Sequence, residues 1–450
     1  MKQILWFRRD LRINDSAILA YAKDEVLPIF IFDKNILDKL DKDDKRVTFI
    51  YESVLKLKEN LKKLGLNLAI FYSTPKEVFQ TLKTQGFDSI LCSVDFDNYA
   101  KKRDEEITKI IPIQTFTDSF ITHPNDCLKA DKTPYKVFTP YYKNLEFIWN
   151  SYRLEEFKTN KNLKLIPFDF EFIPTLENMG FIKQTLPQFL QKSAYELLED
   201  FGQKIDNYKV DRDFFDKNAT SNLAVHLRFG LISLRQVFNK IKELKARTEN
   251  KEFFIRELFW RQFYNYILFH FPKSEVENLN GIKVNWNENE TDFQKWCEGN
   301  TGVPIIDAAM RYFNQTGTMH NRLRMIVSSY LTKNLLVDWK KGEQYFASKL
   351  LDYEASSNVG SWQWAASTGA DSVPYFRIFN PYLQSAKFDK EAIFIKSVIP
   401  ELKDINTKLI HSENGVQSNI FLDYPKQIVS IEFSRKRAIE EFKRANNEKS

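Results

Sequence analysis

Glu257 and Arg261 stand four residues apart in KEFFIRELFWRQFYNYILF, with Trp260 and Tyr264 adjoining. On a helix all four share one face. The pair is either an internal ion pair or a pair turned to a ligand. Buried ion pairs add little net stability, which favours the ligand-facing reading. In HNRLRM, Asn321 and Met325 share a face, and Arg322 and Arg324 suit phosphate or carboxylate partners through the planar guanidinium fork. Solvated arginines at a helix start are the alternative, and a lone His320 is more often packed than catalytic. LDYEASSNVGSWQW sets Asp352, Glu354 and Asn358 just before Trp362 and Trp364. Carboxylates there accept from ribose hydroxyls or balance a buried guanidinium; a capped loop has the same look, and the tryptophans read as core. YKVDRDFFDKNATSNLAVHLRFG puts Tyr208 and Arg212 ahead of Thr220 and Ser221. Hydroxyls at a helix start are ordinary N-caps, but the backbone N–H groups beside them bind anions. From Thr301 to Asp389 aromatic residues are mixed with Arg, Asn, His and Asp inside helix-like segments. Polar groups among aromatics are costly unless each finds a partner, so this stretch is expected to line a polar, aromatic cavity.

The elements that must position these residues fall into two sets. Up to about residue 120, apolar runs (QILWF, VLPIFIF, LNLAIFY, DSILCSV, IQTF) alternate with helical patterns. Alternation of this kind predicts a doubly wound parallel sheet with helices on both faces. No GxGxxG follows the first run, so the usual dinucleotide phosphate turn is missing. Residues 1–126 are expected to form this α/β domain. Residues 127–185, punctuated by Pro134, Pro140, Pro167 and Pro174 with Pro124 just before, read as a packed linker. Residues 186–450 carry helical patterns almost without strand signals and are expected to form an all-α domain.

The chain has 450 residues, 43% of them hydrophobic, enough for two globular cores. Apolar runs are broken by charge well before the length of a membrane span, and charges at Arg8, Arg9 and Asp10 leave no signal-peptide centre. A soluble, cytoplasmic protein is expected. The three cysteines (Cys92, Cys127, Cys297) are far apart and the five histidines do not cluster, which argues against a zinc site or disulfide framework. Net charge is +6. Residues 1–120 hold 20 Lys+Arg and 19 Asp+Glu, so the later part carries +5 and is the better candidate for a polyanionic partner.

Taken in order, WFRRDLRINDS, YKVFTPY, ELFWRQFY, TGVPIIDAAMR, TGTMHNRLRM and WQWAASTGADSVPYFRIFNP resemble the photolyase/cryptochrome family over almost the whole chain. Within it the likeness is strongest to the microbial cyclobutane pyrimidine dimer (deoxyribodipyrimidine) photolyases. The resemblance implies a folded-over FAD in the helical domain and ultraviolet-damaged DNA as partner, without membrane or obligate protein partner. Tyr208 and the run Thr220, Ser221, Asn222, Leu223 and Ala224 match positions at or near the flavin phosphates. Asp352 and Glu354 match positions around the ring and ribose, with Arg324 expected to pair Asp352. Asn358 matches the residue beside the flavin nitrogen that exchanges a proton. Glu257 resembles the carboxylate that bonds the lesion's base edges. Asn321 and Met325 resemble lesion contacts, Trp260 and Trp364 an aromatic wall, and Arg212, Arg261 and Arg322 residues near the lesion or DNA backbone. Trp362, Trp339 and Trp286 match an electron-hopping chain leading outward from the flavin. The implied reaction is light-driven splitting of the dimer by an electron from reduced FAD. A cryptochrome-like blue-light receptor is the alternative, and a dark flavin oxidoreductase a third reading. Departures occur at Ala224 (usually Ser), at Asp352-Tyr353-Glu354 (usually Asp-Gly-Asp), at Thr318 (often Trp) and in HSENG. DFDNYAKKRDEE lacks the Asn-Glu pair of folate-binding members, leaving the antenna open: a folate, a deazaflavin, another flavin, or none.

Overall fold

A computed structural model describes residues 2–419 and 421–448. The chain divides into two compact units. The first contains the residues through Pro134 together with Pro140–Asp206 and Ser221–His270; the second contains Tyr135–Thr139, Asn207–Thr220 and the residues from Phe271 on.

The first unit is built on five parallel strands: β1 (Lys2–Phe7), β2 (Glu25–Asp33), β3 (Ala69–Ser73), β4 (Ser89–Ser93) and β5 (Ile113–Phe116). Their order is β3-β2-β1-β4-β5, and the sheet is parallel as the alternating sequence predicts. β1 and β2 are buried along nearly their whole length, which is why they read as continuous apolar runs. A sixth strand, β6 (Lys164–Leu165), pairs with Glu25 and Val26 at the start of β2. β1 already takes the other edge of β2 there, so β6 extends the β3 side. The stretch expected to be a linker therefore contributes to the sheet. Helices α1 (Lys45–Lys62), α2 (Pro75–Thr84) and α3 (Asn98–Thr108) begin at the side-chain caps Asp44, Thr74 and Asp97; Thr74 and Glu77 form a reciprocal capping box. The pattern in DLRINDSAILAYA yields only a short helix, Ala17–Tyr21.

The residues leaving β1 and β4, where a doubly wound sheet reverses its winding, are tied to one another. Arg8 binds Asp104 at 2.7 Å, Arg9 pairs with Asp95, and Asp10 accepts from Ser93 Oγ at 2.8 Å. Gly230 closes on the same turn with φ +66°; a Cβ there would lie 1.9 Å from the Arg9 carbonyl oxygen, so only glycine fits. Arg12 and Arg235 share Asp118, and Arg235 also binds Asp15, a network of four charged side chains with 9% exposure or less. Arg235 comes from α4 (Leu234–Glu243), which is followed by the long helix α5 (Thr248–His270).

The second unit contains no strand among the described residues. Its main helices are α6 (Pro304–Thr316), α7 (Asn321–Ser329), α8 (Trp339–Lys349), α9 (Ala355–Ala366) and α10 (Ile431–Asn447). α7 runs into a widened π turn, Tyr330–Asn334. Trp296, Trp339, Trp362, Phe313 and Phe346 form the centre of the apolar core. Part of the polar content of residues 301–389 is structural. Asp307 accepts from Thr301 N and Oγ1, Gly302 N and the Tyr424 hydroxyl. Lys333 is fully buried and donates to Ala366 O and Ser367 Oγ; burial holds its amine well below the usual lysine range. These groups find their partners inside the core.

Candidate functional site

In the first unit, α5 carries Glu257, Trp260, Arg261 and Tyr264 as a half-buried stripe, while Leu258, Phe259, Gln262 and Phe263 are buried. The helix is thus less enclosed than its apolar sequence suggests. Gln262 anchors it: its Oε1 accepts from Ile121 N at 2.8 Å, and its Nε2 donates to Thr122 Oγ1 and the Tyr141 hydroxyl. Arg261 donates to the Ser119 carbonyl at 3.1 Å and stands 5.7 Å from the Phe120 ring centre. Trp260 packs on Phe263 and Tyr264 at 5.7 and 5.8 Å. The stripe is held rigidly from behind and presents a carboxylate, an indole and a guanidinium together.

The run Ser221–Ala224 leads into the short helix Ala224–Arg228. Asn222 adopts φ +56°, a left-handed conformation that asparagine tolerates, and Leu223 N donates to Ser221 Oγ at 3.4 Å. Leu223 is buried and Ala224 exposed.

In the second unit, Arg324 donates through Nη2 to both oxygens of Asp352 at 3.0 and 2.8 Å, and through Nε to the Met319 carbonyl. The pairing expected between them forms. Asn321 is exposed at the start of α7, its Nδ2 4.0 Å from Met325 Sδ. His320 N-caps α7 through Nδ1, and burial lowers its imidazole to about 4, keeping it neutral and able to accept. It is a packed histidine with a capping role. Arg322 pairs with Asp213 at 2.6 Å, and the Arg212 guanidinium lies 5.4 Å from the Tyr208 ring. Neither arginine of HNRLRM is merely solvated. Tyr208 is buried and Thr220 half-buried.

α9 opens at Glu354, which is buried and accepts from Ser357 Oγ at 3.0 Å. One turn on, Asn358 spends its amide nitrogen on Glu343: Nδ2 donates to the Glu343 carbonyl at 3.1 Å and to Glu343 Oε1 at 2.9 Å. Its Oδ1 accepts no hydrogen bond among the described residues. Burial pushes the Glu343 carboxyl up to about 7, against the lowering effect of the Asn358 bond. Sequence reasoning missed Glu343. It sits four residues after Trp339 on α8, and nothing in DWKKGEQYF separates it from a surface glutamate.

Trp362 and Trp339 are buried, Trp286 is half-buried and Trp364 half-buried. Trp362 is boxed in by Phe346 at 5.1 Å and Trp296 at 6.0 Å. Trp339 Nε1 donates to Asn278 Oδ1 at 2.8 Å, and Trp286 packs edge-on against Phe442 at 5.9 Å. The three rings grade from enclosed to partly solvated. α8 and α9 can approach closely because Gly342 faces Trp362: a Cβ at Gly342 would stand 2.3 Å from Trp362 Cη2. All three cysteines are buried and free, no metal-holding group of His, Cys, Asp and Glu occurs among the described residues, and no described helix is long and apolar enough to cross a membrane.

Residues 3–159 match the family model for DNA photolyase, and residues 254–444 match the FAD binding domain of DNA photolyase. A deoxyribodipyrimidine photo-lyase of Alkalihalophilus pseudofirmus is 36% identical, over 98% of this chain and 97% of that protein. An archaeal photolyase from Sulfolobus tokodaii, solved with two FAD molecules, superposes with a TM-score of 0.85 at 32% identity, covering 99% of this chain and 100% of that one. A Synechocystis cryptochrome shares the fold, with a TM-score of 0.87 at 24% identity over 98% and 99% of the two chains. Likeness at this identity, running through both the parallel sheet and the helical part, shows that the chain belongs to the photolyase/cryptochrome family and that its cofactor is FAD.

Proposed function

We propose that this protein is a photolyase that repairs cyclobutane pyrimidine dimers in DNA with light. The observation that carries the reading is the locked amide of Asn358. Both hydrogens of its Nδ2 are directed at Glu343, so the side chain cannot flip without losing two hydrogen bonds, and Oδ1 is left as an acceptor. An acceptor suits a ring nitrogen that carries a hydrogen, as the reduced flavin does.

The residues fit FAD. On α9, Asn358 Oδ1 is uncommitted among the described residues, an acceptor that a polar ring edge satisfies. Arg324 holds the Asp352 carboxylate in place, and Glu354 supplies a buried acceptor for a ribose hydroxyl. Tyr208, Thr220 and the run Ser221–Ala224 serve the phosphates; the left-handed Asn222 turns successive backbone groups toward one side there. When bound, reduced FAD supplies the photoexcited electron that opens the cyclobutane ring and then returns, so the reaction is a lyase reaction without net redox change.

The α5 stripe gives Glu257 as acceptor for the lesion's base edges, Trp260 as a stacking surface and Arg261 as a phosphate partner. In the second unit, Asn321 and Met325 touch the lesion, Trp364 stacks, and Arg212 and Arg322 attend the backbone. Unstacking costs about a few kcal/mol, least at damaged sites, and each aromatic contact returns ~1–3 kcal/mol per base. Trp286, Trp339 and Trp362 pass electrons inward when the cofactor is oxidised. An antenna chromophore (a folate, a deazaflavin or a second flavin) would add light capture; released-chromophore analysis identifies it.

The test is to illuminate reduced protein with dimer-containing DNA and follow the return of thymine absorbance. No recovery at full flavin occupancy rules the reading out; tight binding to other partners without lesion preference would favour a light receptor.

A further inference from the structure

Two of the arginines assigned to the DNA backbone, Arg212 and Arg322, face one carboxylate. Arg322 Nη2 lies 2.6 Å from Asp213 Oδ2, and Arg212 Nε lies 3.9 Å from Asp213 Oδ1. All three side chains reach solvent, at 20% exposure for Arg322, 17% for Arg212 and 26% for Asp213. Arg322 is fixed further by the Phe388 ring at 4.8 Å, and its backbone N–H by His320 Nδ1. Its Nε is buried without a hydrogen-bond partner, so Asp213 does not saturate the guanidinium.

The segment that supplies Asp213, YKVDRDFFDK, cancels its own charge: Lys209, Arg212 and Lys217 stand against Asp211, Asp213 and Asp216, and Lys217 pairs with Asp211 at 2.6 Å. A partly exposed ion pair contributes little to stability. A carboxylate beside a phosphate-binding guanidinium has a direct cost to binding, because the incoming phosphate meets an anion of its own sign within a few ångströms.

We propose that Asp213 is an internal competitor for DNA phosphate: it holds Arg322 and Arg212 in the free protein and limits how tightly the DNA backbone is gripped, so that repaired DNA leaves. The proposal rests on the DNA-repair reading. Phosphate contacts are common to damaged, repaired and undamaged DNA, whereas lesion contacts vanish once the dimer is split. After repair the backbone grip alone retains the product, and a carboxylate at that grip speeds release.

The experiment compares wild type, Asp213→Asn and Asp213→Glu, each loaded with FAD to equal occupancy, on an undamaged duplex and on the same duplex with one thymine dimer. Removing one charge about 5 Å from a phosphate in water-like surroundings is expected to raise affinity for the undamaged duplex roughly three- to fivefold at low salt. The slope of log affinity against log salt should steepen by about 0.9, as for one more effective phosphate contact. Multiple-turnover repair under saturating light should be slower, with Asp213→Glu restoring wild-type values. Unchanged or weaker binding by Asp213→Asn overturns the proposal and makes Asp213 a positioning residue for the arginines. Failure of wild type itself to bind dimer-containing DNA sinks the repair reading and the proposal together.

Discussion

Replacing Gly342 with alanine tests whether the packing of α8 on α9 sets the position of Trp362. The new Cβ would stand 2.3 Å from Trp362 Cη2, 2.5 Å from Cζ3 and 2.6 Å from Leu331 Cδ2. Carbon atoms rest at ~3.5–4.0 Å, so the ring or the helix must give way by more than about 1 Å. Trp362 has little room to retreat, with Phe346 and Trp296 already packed against its ring. Overpacking of this kind costs about 1–3 kcal/mol. Alanine recovers about 1 kcal/mol of helix propensity. A net loss of up to about 2 kcal/mol is expected. Thermal release of flavin, read by its fluorescence, should come at lower temperature in Gly342→Ala, and near-ultraviolet dichroism should report a changed tryptophan environment. Light-driven reduction of the oxidised cofactor should slow, because electron hopping depends steeply on ring separation, while chemically prereduced protein should still repair. A variant as stable as wild type, with unaltered dichroism and photoreduction, would refute the reasoning.

Trp362→Phe should slow light-driven flavin reduction yet leave repair by prereduced protein largely intact; equal loss of both, measured by flavin absorbance and dimer repair, contradicts a separate hopping chain. Glu257→Ala should lower repair yield more than FAD content, and an unchanged yield removes Glu257 from the site. Glu343→Gln should alter the pH dependence of stability. Burial raises the carboxyl from 4.5 to about 7, so the folded protein binds the extra proton and the wild type loses stability as pH rises between those values, by up to about 3 kcal/mol. The glutamine variant should lack that loss in denaturant titrations at pH 5 and about pH 8; a parallel decline in both proteins would assign it elsewhere.

β1, β2 and β4 were legible because strands buried on both faces leave continuous apolar runs; the edge strands β3 and β5, only partly buried, were legible from the alternation with helices. β6 was not, since two residues carry no periodicity and its pairing with Glu25 and Val26 is a long-range event. The Arg324–Asp352 pair could be expected only from resemblance: 28 residues and a helix pair separate its members. Glu343 and Asp213 were hidden for the same reason, their partners being chosen by helix packing. Asp307 shows the opposite error. It belongs to the polar stretch expected to line a cavity, yet the core satisfies it internally.

The four-charge network of Arg12, Asp15, Asp118 and Arg235 bears on how this architecture can be taken apart. Arg235 lies 220 residues beyond the Asp15 it binds, outside the segment that supplies the strands. A shortened polypeptide stopping soon after β5 would leave Asp15 and Asp118 without one of the two cations that neutralise them and without the Phe157 segment whose N–H binds Asp15. The sheet is therefore not a cassette that recombination can shuffle into other proteins on its own; its inheritance is bound to that of α4.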